Sequence, residues 1–180
     1  DHAVGAESPW SSDTLRLLSI GRLTYYKGYH IALEALARVP GTLVIVGNGP
    51  LESELKAQAE RWGVTERIVW KSHAAPEELI ALYHAATALW FPSVVRSEGF
   101  GLVQVEAMAA GCPVINTAIP ASGVSWVSQH EVSGLTVPVG DVDAFAAAAN
   151  RMADEDGLRA NLSHGARERA EKEGKYPSQR

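Results

Sequence analysis

Only one cysteine, Cys112, occurs in the 180 residues. No disulfide can therefore close within the chain, which fits a reducing compartment. No apolar run approaches the ~20 residues that cross a bilayer, and no secretory signal is legible. Net positive charge is also missing: 16 Lys and Arg face 21 Asp and Glu, a formal charge of −5. That balance gives no general attraction for nucleic acid or anionic membrane, so any phosphate must be held by local cations and backbone amides. The six histidines show no H-x-x-x-H spacing, and no cysteine accompanies them, so no metal site is expected. Repeats and low-complexity tracts are absent, and a composition 46% hydrophobic and 21% charged excludes disordered, collagenous and disulfide-stapled classes.

What remains is one compact domain with enough chain for a substantial core. Residues 1–13, DHAVGAESPWSSD, read as a polar lead-in joined to something upstream, so the chain is expected to be part of a longer protein. Residues 14–173 form the expected domain and 174–180 a frayed tail. From residue 15 onward, strand-like runs alternate with helical patterns. Strands are expected at 15–21, 42–47, 67–72, 88–93, 113–118 and 134–139. Helices are expected at 28–39, 51–63, 76–86, 101–110, 141–156 and 157–173, the fifth capped by Asp141 and the last with Gly165 as a kink point. Such alternation implies βαβ crossovers. The predicted fold class is α/β: a Rossmann-like, doubly wound parallel sheet of six strands with helices on both faces.

Ligands of such sheets collect beyond the carboxyl ends of the strands, so the residues following each strand carry the functional reading. After the first strand, GRLTYYKG sets Arg22 and Lys27 in one turn between Gly21 and Gly28. Arg offers a fork of donors and Lys a point charge, a pairing suited to a diphosphate. After the second, GNGPLESEL allows a tight turn, but Glu52 stands where the third glycine of G-x-G-x-x-G belongs, which argues against a dinucleotide. After the third, Lys71, Ser72 and His73 are available to line a pocket, with His73 not expected to act as a base. Cys112, in GCPV, is expected to be a small buried thiol rather than a nucleophile, because no partner base lies near it in sequence.

After the fourth strand comes SEGFGLVQVEAMAAGCPV, residues 97–114. Ser97, Gly99 and Gly101 give a turn that lets backbone approach a ligand, and the helix that follows offers its first free amides. Glu98 by itself reads equally well as a helix-capping acid. Glu106 is different, because Leu102, Val103, Val105, Ala107 and Met108 around it are apolar and a buried carboxylate needs donors. The vicinal diol of a ribose would supply them.

Taken in order, GRL…KG, VGNGP, FPS, EGFGLVQVEAMAAGCPVI and SGLTVPVGD resemble the nucleotide-sugar-binding half of retaining GT-B glycosyltransferases, specifically the group-1 family, glycosyltransferase family 4. The resemblance spans roughly residues 15–170. It implies that Arg22 and Lys27 contact the donor diphosphate and stabilise it as it departs. It also implies that Glu98 faces the donor sugar hydroxyls and that Glu106 binds the ribose diol. Backbone around Gly99, Phe100, Gly101 and Leu102 would then hold sugar and phosphate, and Lys71 and Ser72 would touch the base. Ser72 stands where the family usually has glycine, and Asn48 replaces a common Asp.

The implied function is transfer of a hexose from a nucleotide-diphosphate sugar, GDP-mannose-like by likeness to bacterial mannosyl- and rhamnosyl-transferases of polysaccharide assembly, to a glycan or lipid-linked acceptor. No metal or other cofactor is implied. The family's N-terminal acceptor-binding domain is absent from this chain, so the domain alone is expected to bind donor and transfer poorly or not at all. A cytoplasmic location is expected, with membrane association through the absent half left open. Two other readings stand beside this one: a non-catalytic nucleotide-binding module, and a GT-B relative of nucleotide-sugar epimerase type.

Overall fold

The computed structural model describes residues 8–10, 15–95 and 102–174. Six strands run through it: β1 (Leu15–Ile20), β2 (Gly41–Val46), β3 (Ile68–Lys71), β4 (Ala88–Phe91), β5 (Val114–Thr117) and β6 (Gly134–Val137). All pair in parallel, in the order β3-β2-β1-β4-β5-β6. The β-branched and leucine-rich runs bury both faces of the sheet, as fully covered parallel strands require. Every residue of β4 and β5 is buried.

Among the described residues, seven α-helices connect and cover the strands. They are α1 (Tyr29–Leu36), α2 (Glu52–Trp62), α3 (Pro76–Ala85), α4 (Leu102–Ala109), α5 (Val124–Val127), α6 (Val142–Asp154) and α7 (Leu158–Gly174). One apolar cluster packs α1, α2 and α6 on one face of the sheet, around Leu33, Leu36, Leu55 and Phe145. A second packs α3, α4 and α5 on the other, around Leu82, Met108, Cys112 and Val124. Helix α7 bridges them, with Leu162 in the first cluster and Ala166 and Ala170 in the second. It runs without interruption through Gly165, so the expected kink is corrected. A Cβ at that position would lie 1.9 Å from the Val132 carbonyl, and the missing side chain serves close packing instead.

Local chemistry explains the helix ends. Asp141 Oδ1 accepts from the Ala144 amide at 2.9 Å, the expected cap of α6. Arg67 donates to the carbonyls of Leu36, Val39 and Gly41 and so satisfies the C-terminal end of α1. Trp10, within the stretch read as lead-in, is buried, and its indole donates to Leu17 and Thr42 carbonyls.

The order reverses between β1 and β4, and there the crossovers leave to opposite faces and open a crevice. The exits of β1 and β4 are bound together at that point. The Val94 amide donates to the Tyr26 carbonyl at 2.9 Å. Gly28 has φ +73°, and a Cβ on it would sit 1.9 Å from the Pro92 carbonyl. Gly28→Ala should therefore cost about 2–4 kcal/mol, combining a left-handed backbone with a backbone clash. Urea denaturation checks this, and an unchanged midpoint would mean the two loops separate freely.

Candidate functional site

The crevice is built from the exits of β1, β3 and β4 and from the start of α4. The β1 exit carries Arg22, exposed, and Lys27, half-buried at the end of a 3-10 turn over Tyr25–Lys27. The Lys27 ammonium lies 5.5 Å from the centre of the Tyr26 ring and 5.7 Å from that of Phe91, the last residue of β4. Cation–π attraction holds the charge at the switch point. The β1 cation predicted from sequence is thus physically beside the β4 exit. Ser93, in that exit, is held from the far side, where Thr117 Oγ1 donates to its carbonyl at 2.6 Å.

Four of the sequence-derived site residues, Glu98, Gly99, Phe100 and Gly101, lie outside the described residues. Leu102 opens α4 and is 76% exposed, so the side chain that begins that helix faces solvent rather than core.

Glu106 is also exposed, which corrects the expectation of a buried acid. The inward face of α4 is formed by Gln104, Ala107 and Met108, the i, i+3, i+4 spacing of a helix packed on one side. Glu106 sits two residues beyond Gln104, on the other side. The apolar run around it reflects a helix edge between α3 and α7, not full burial. Its donor is a protein group: Tyr83 Oη, on α3, donates to Glu106 Oε2 at 2.9 Å. Burial first, then this bond and the carboxylate's charge, push the phenol well above its ordinary pKa, so it remains a donor. Glu106 Oε1 has no hydrogen bond among the described residues. The carboxylate therefore keeps acceptor capacity on the rim of a cavity of about 570 Å³ between α3 and α4, whose lining includes Pro76, Leu79, Tyr83 and Ala110.

The polar position buried in α4 is Gln104. Its side chain accepts from Asn116 Nδ2 at 2.8 Å and donates to the Val124 carbonyl at 3.1 Å. Asn116 further donates to the Val124 and Ser128 carbonyls and accepts from Thr136 Oγ1 at 2.6 Å. This network fixes α4 to β5, α5 and β6, and so fixes where Glu106 and Leu102 stand.

At the β3 exit, Lys71 pairs with Glu78 of α3 at 2.5 Å, and this hydrogen bond holds the Glu78 carboxyl below its usual range. Ser72 is exposed, and its carbonyl accepts from Asn48 Nδ2 at 3.1 Å. Asn48, which stands in place of a common Asp, thus ties the β2 exit to the β3 exit. Gly47 lies in the same turn, and a Cβ there would stand 2.0 Å from the Gly21 carbonyl. Sequence reasoning missed Tyr83, whose only signal was its place on the same face of α3 as Leu79 and Ile80. Cys112 is buried as expected, and burial pushes its thiol up to about 12. Among the described residues no group of three or more His, Cys, Asp or Glu is placed to hold a metal. Among those residues, too, no helix is long and apolar enough to cross a membrane.

Residues 5–169 match the family model described as glycosyl transferases group 1. Among curated relatives, the chain is 39% identical to a D-rhamnosyltransferase, WbpZ, of Pseudomonas aeruginosa, over 71% of this chain and 33% of that protein. It is 36% identical to O-antigen chain mannosyltransferase C of Escherichia coli, over 75% of this chain and 36% of that protein. Among solved structures, Anabaena HepE in complex with UDP superposes with a TM-score of 0.80 at 26% identity, covering 88% of this chain and 44% of that one. The chain therefore spans between a third and a half of the length of these relatives.

Proposed function

The chain belongs to the glycosyl transferases group 1 family, and from that premise we propose that it is the donor-binding half of a retaining GT-B hexosyltransferase. The nucleotide diphosphate lies across the switch point, its phosphates on Arg22, Lys27 and the first amides of α4. Its ribose hydroxyls donate to Glu106, and its base lies toward Lys71 and Ser72. Glu98 faces the donor sugar. The observation that carries this reading is the junction of the β1 and β4 exits, which sets Lys27 against Phe91.

Chemically, charge accumulates on the diphosphate as the bond to the sugar breaks. Two cations and a helix N-terminus stabilise that charge without a metal. A GDP-mannose-like donor is the specific expectation, because relatives at 36% and 39% identity are named for mannosyl and rhamnosyl transfer. HepE, at 26% identity, is bound to UDP, which makes UDP the comparison ligand. The acceptor, a glycan or lipid-linked saccharide, is held by a second domain supplied by the rest of the protein. The 180-residue chain alone binds donor and transfers little, in the cytoplasm or at its membrane face.

The test is calorimetry of GDP and UDP against the wild-type chain and Glu106→Ala. Loss of a charged hydrogen bond should weaken whichever nucleotide binds by about 1–3 kcal/mol, roughly fivefold to a hundredfold. With the 2′-deoxy nucleotide, wild type and variant should converge. Equal affinities for the ribonucleotide would remove the ribose assignment.

A further inference from the structure

Between α1 and α2 runs a groove that the donor site does not use, formed by two cavities of about 210 and about 420 Å³ that share His30 and Gln58. It begins at Tyr25, in the same β1 exit as Arg22 and Lys27, and ends at Trp62. Both aromatics are exposed, Tyr25 at 67% and Trp62 at 44%. Tyr25 is held in place, its ring stacked on His30 with centroids 5.1 Å apart and planes 9° from parallel. Glu34 and Glu54 flank the groove, and the Gln58 amide lies between its two ends. Burial lowers the His30 pKa against the pull of the two glutamates, which favours a neutral ring. Of the nearby cations, Arg61 lines the Trp62 end of the groove, and Arg38 is paired with Glu34 and Asp143.

We propose that this groove binds a neutral saccharide, the stretch of the glycan acceptor that extends beyond the hold of the second domain. The proposal rests on the transferase reading above. A pyranose has an apolar C–H face, which packs on fixed aromatic rings, and a rim of hydroxyls, which donate to carboxylates and exchange bonds with an amide. Tyr25 and Trp62 supply the first kind of surface at either end, and Glu34, Glu54 and Gln58 supply the second between them. Arg38 offsets Glu34 and Arg61 lines the Trp62 end, so the groove carries both signs of charge and selects through its rings and hydrogen-bonding groups, while phosphate stays with Arg22 and Lys27.

The test is a 1H–15N NMR titration of the 180-residue chain with mannohexaose and with maltohexaose. The Trp62 indole and the His30 amide should shift with at least one of them at millimolar concentration. Tyr25→Ala and Trp62→Ala should each weaken that binding by about fivefold or more, and Trp62→Ala should leave nucleotide affinity within about twofold. No movement of these signals up to about 10 mM saccharide overturns the proposal. So do shifts confined to other faces, or groove signals that respond instead to chain concentration, which would make a second copy the occupant. Nucleotide titration of the same sample reports the donor site separately, so either reading can fail while the other is measured.

Discussion

Replacing Arg22 and Lys27 together by alanine is expected to weaken binding of the preferred nucleoside diphosphate by about 3–4 kcal/mol, several hundredfold, from two charge-assisted contacts. The free nucleoside should bind wild type and variant alike. The contrast matters more than the loss. Both side chains leave one loop, and Lys27 is anchored over the Tyr26 and Phe91 rings. Removing them takes away charge without touching Glu106 or the β3 exit. Calorimetry with matched nucleoside and diphosphate reads the difference directly. Equal losses for both ligands would mean that the loop supports the pocket as a whole and that the diphosphate lies elsewhere. Fold integrity is not in question for Arg22, which is exposed, and the single variant Arg22→Ala separates its part from that of Lys27.

The second large effect is structural. Asn116→Ala should cost about 3–4 kcal/mol of stability, because it removes four hydrogen bonds from one buried network. The two hydrogens of its amide nitrogen are shared among Gln104 Oε1 and the carbonyls of Val124 and Ser128, and its oxygen accepts from Thr136. Asn116 and Gln104 are both fully buried, so water cannot replace these bonds cheaply. A double-mutant cycle with Gln104→Ala, followed by urea denaturation, should show a coupling of about 1 kcal/mol. Additive losses would indicate that the two amides act independently and that α4 is located by its apolar face alone.

The sheet was legible from the sequence because its strands are short continuous runs of Leu, Val and Ile separated by turn residues and helical periods. Six of six strands and their parallel pairing follow from that pattern. Helix ends followed where a side chain makes the cap, as Asp141 does. Burial on α4 was misread. Apolar neighbours on both sides of Glu106 suggested an interior acid, but only the helical register decides which face turns inward, and that register buries Gln104. A helix edge wedged between two other helices collects apolar residues without being interior. Tyr83 and Asn48 were not legible as site residues because their roles are bonds across chain separations of 23 and 24 residues, which no local pattern encodes. Arg22 and Lys27 were legible as a pair because both sit in one turn. Their meeting with the β4 exit was legible only through topology, from the rule that a doubly wound sheet opens where its order reverses.

The most direct test follows the backbone amides of the 180-residue chain as GDP, UDP and their nucleosides are added. Diphosphates should move the amides of residues 21–28 and of the first turn of α4 together, and nucleosides should move those near Glu106 and Ser72 while leaving residues 21–28 largely still. If the diphosphates shift only one of these segments, or neither, the β1 exit and α4 do not share a ligand.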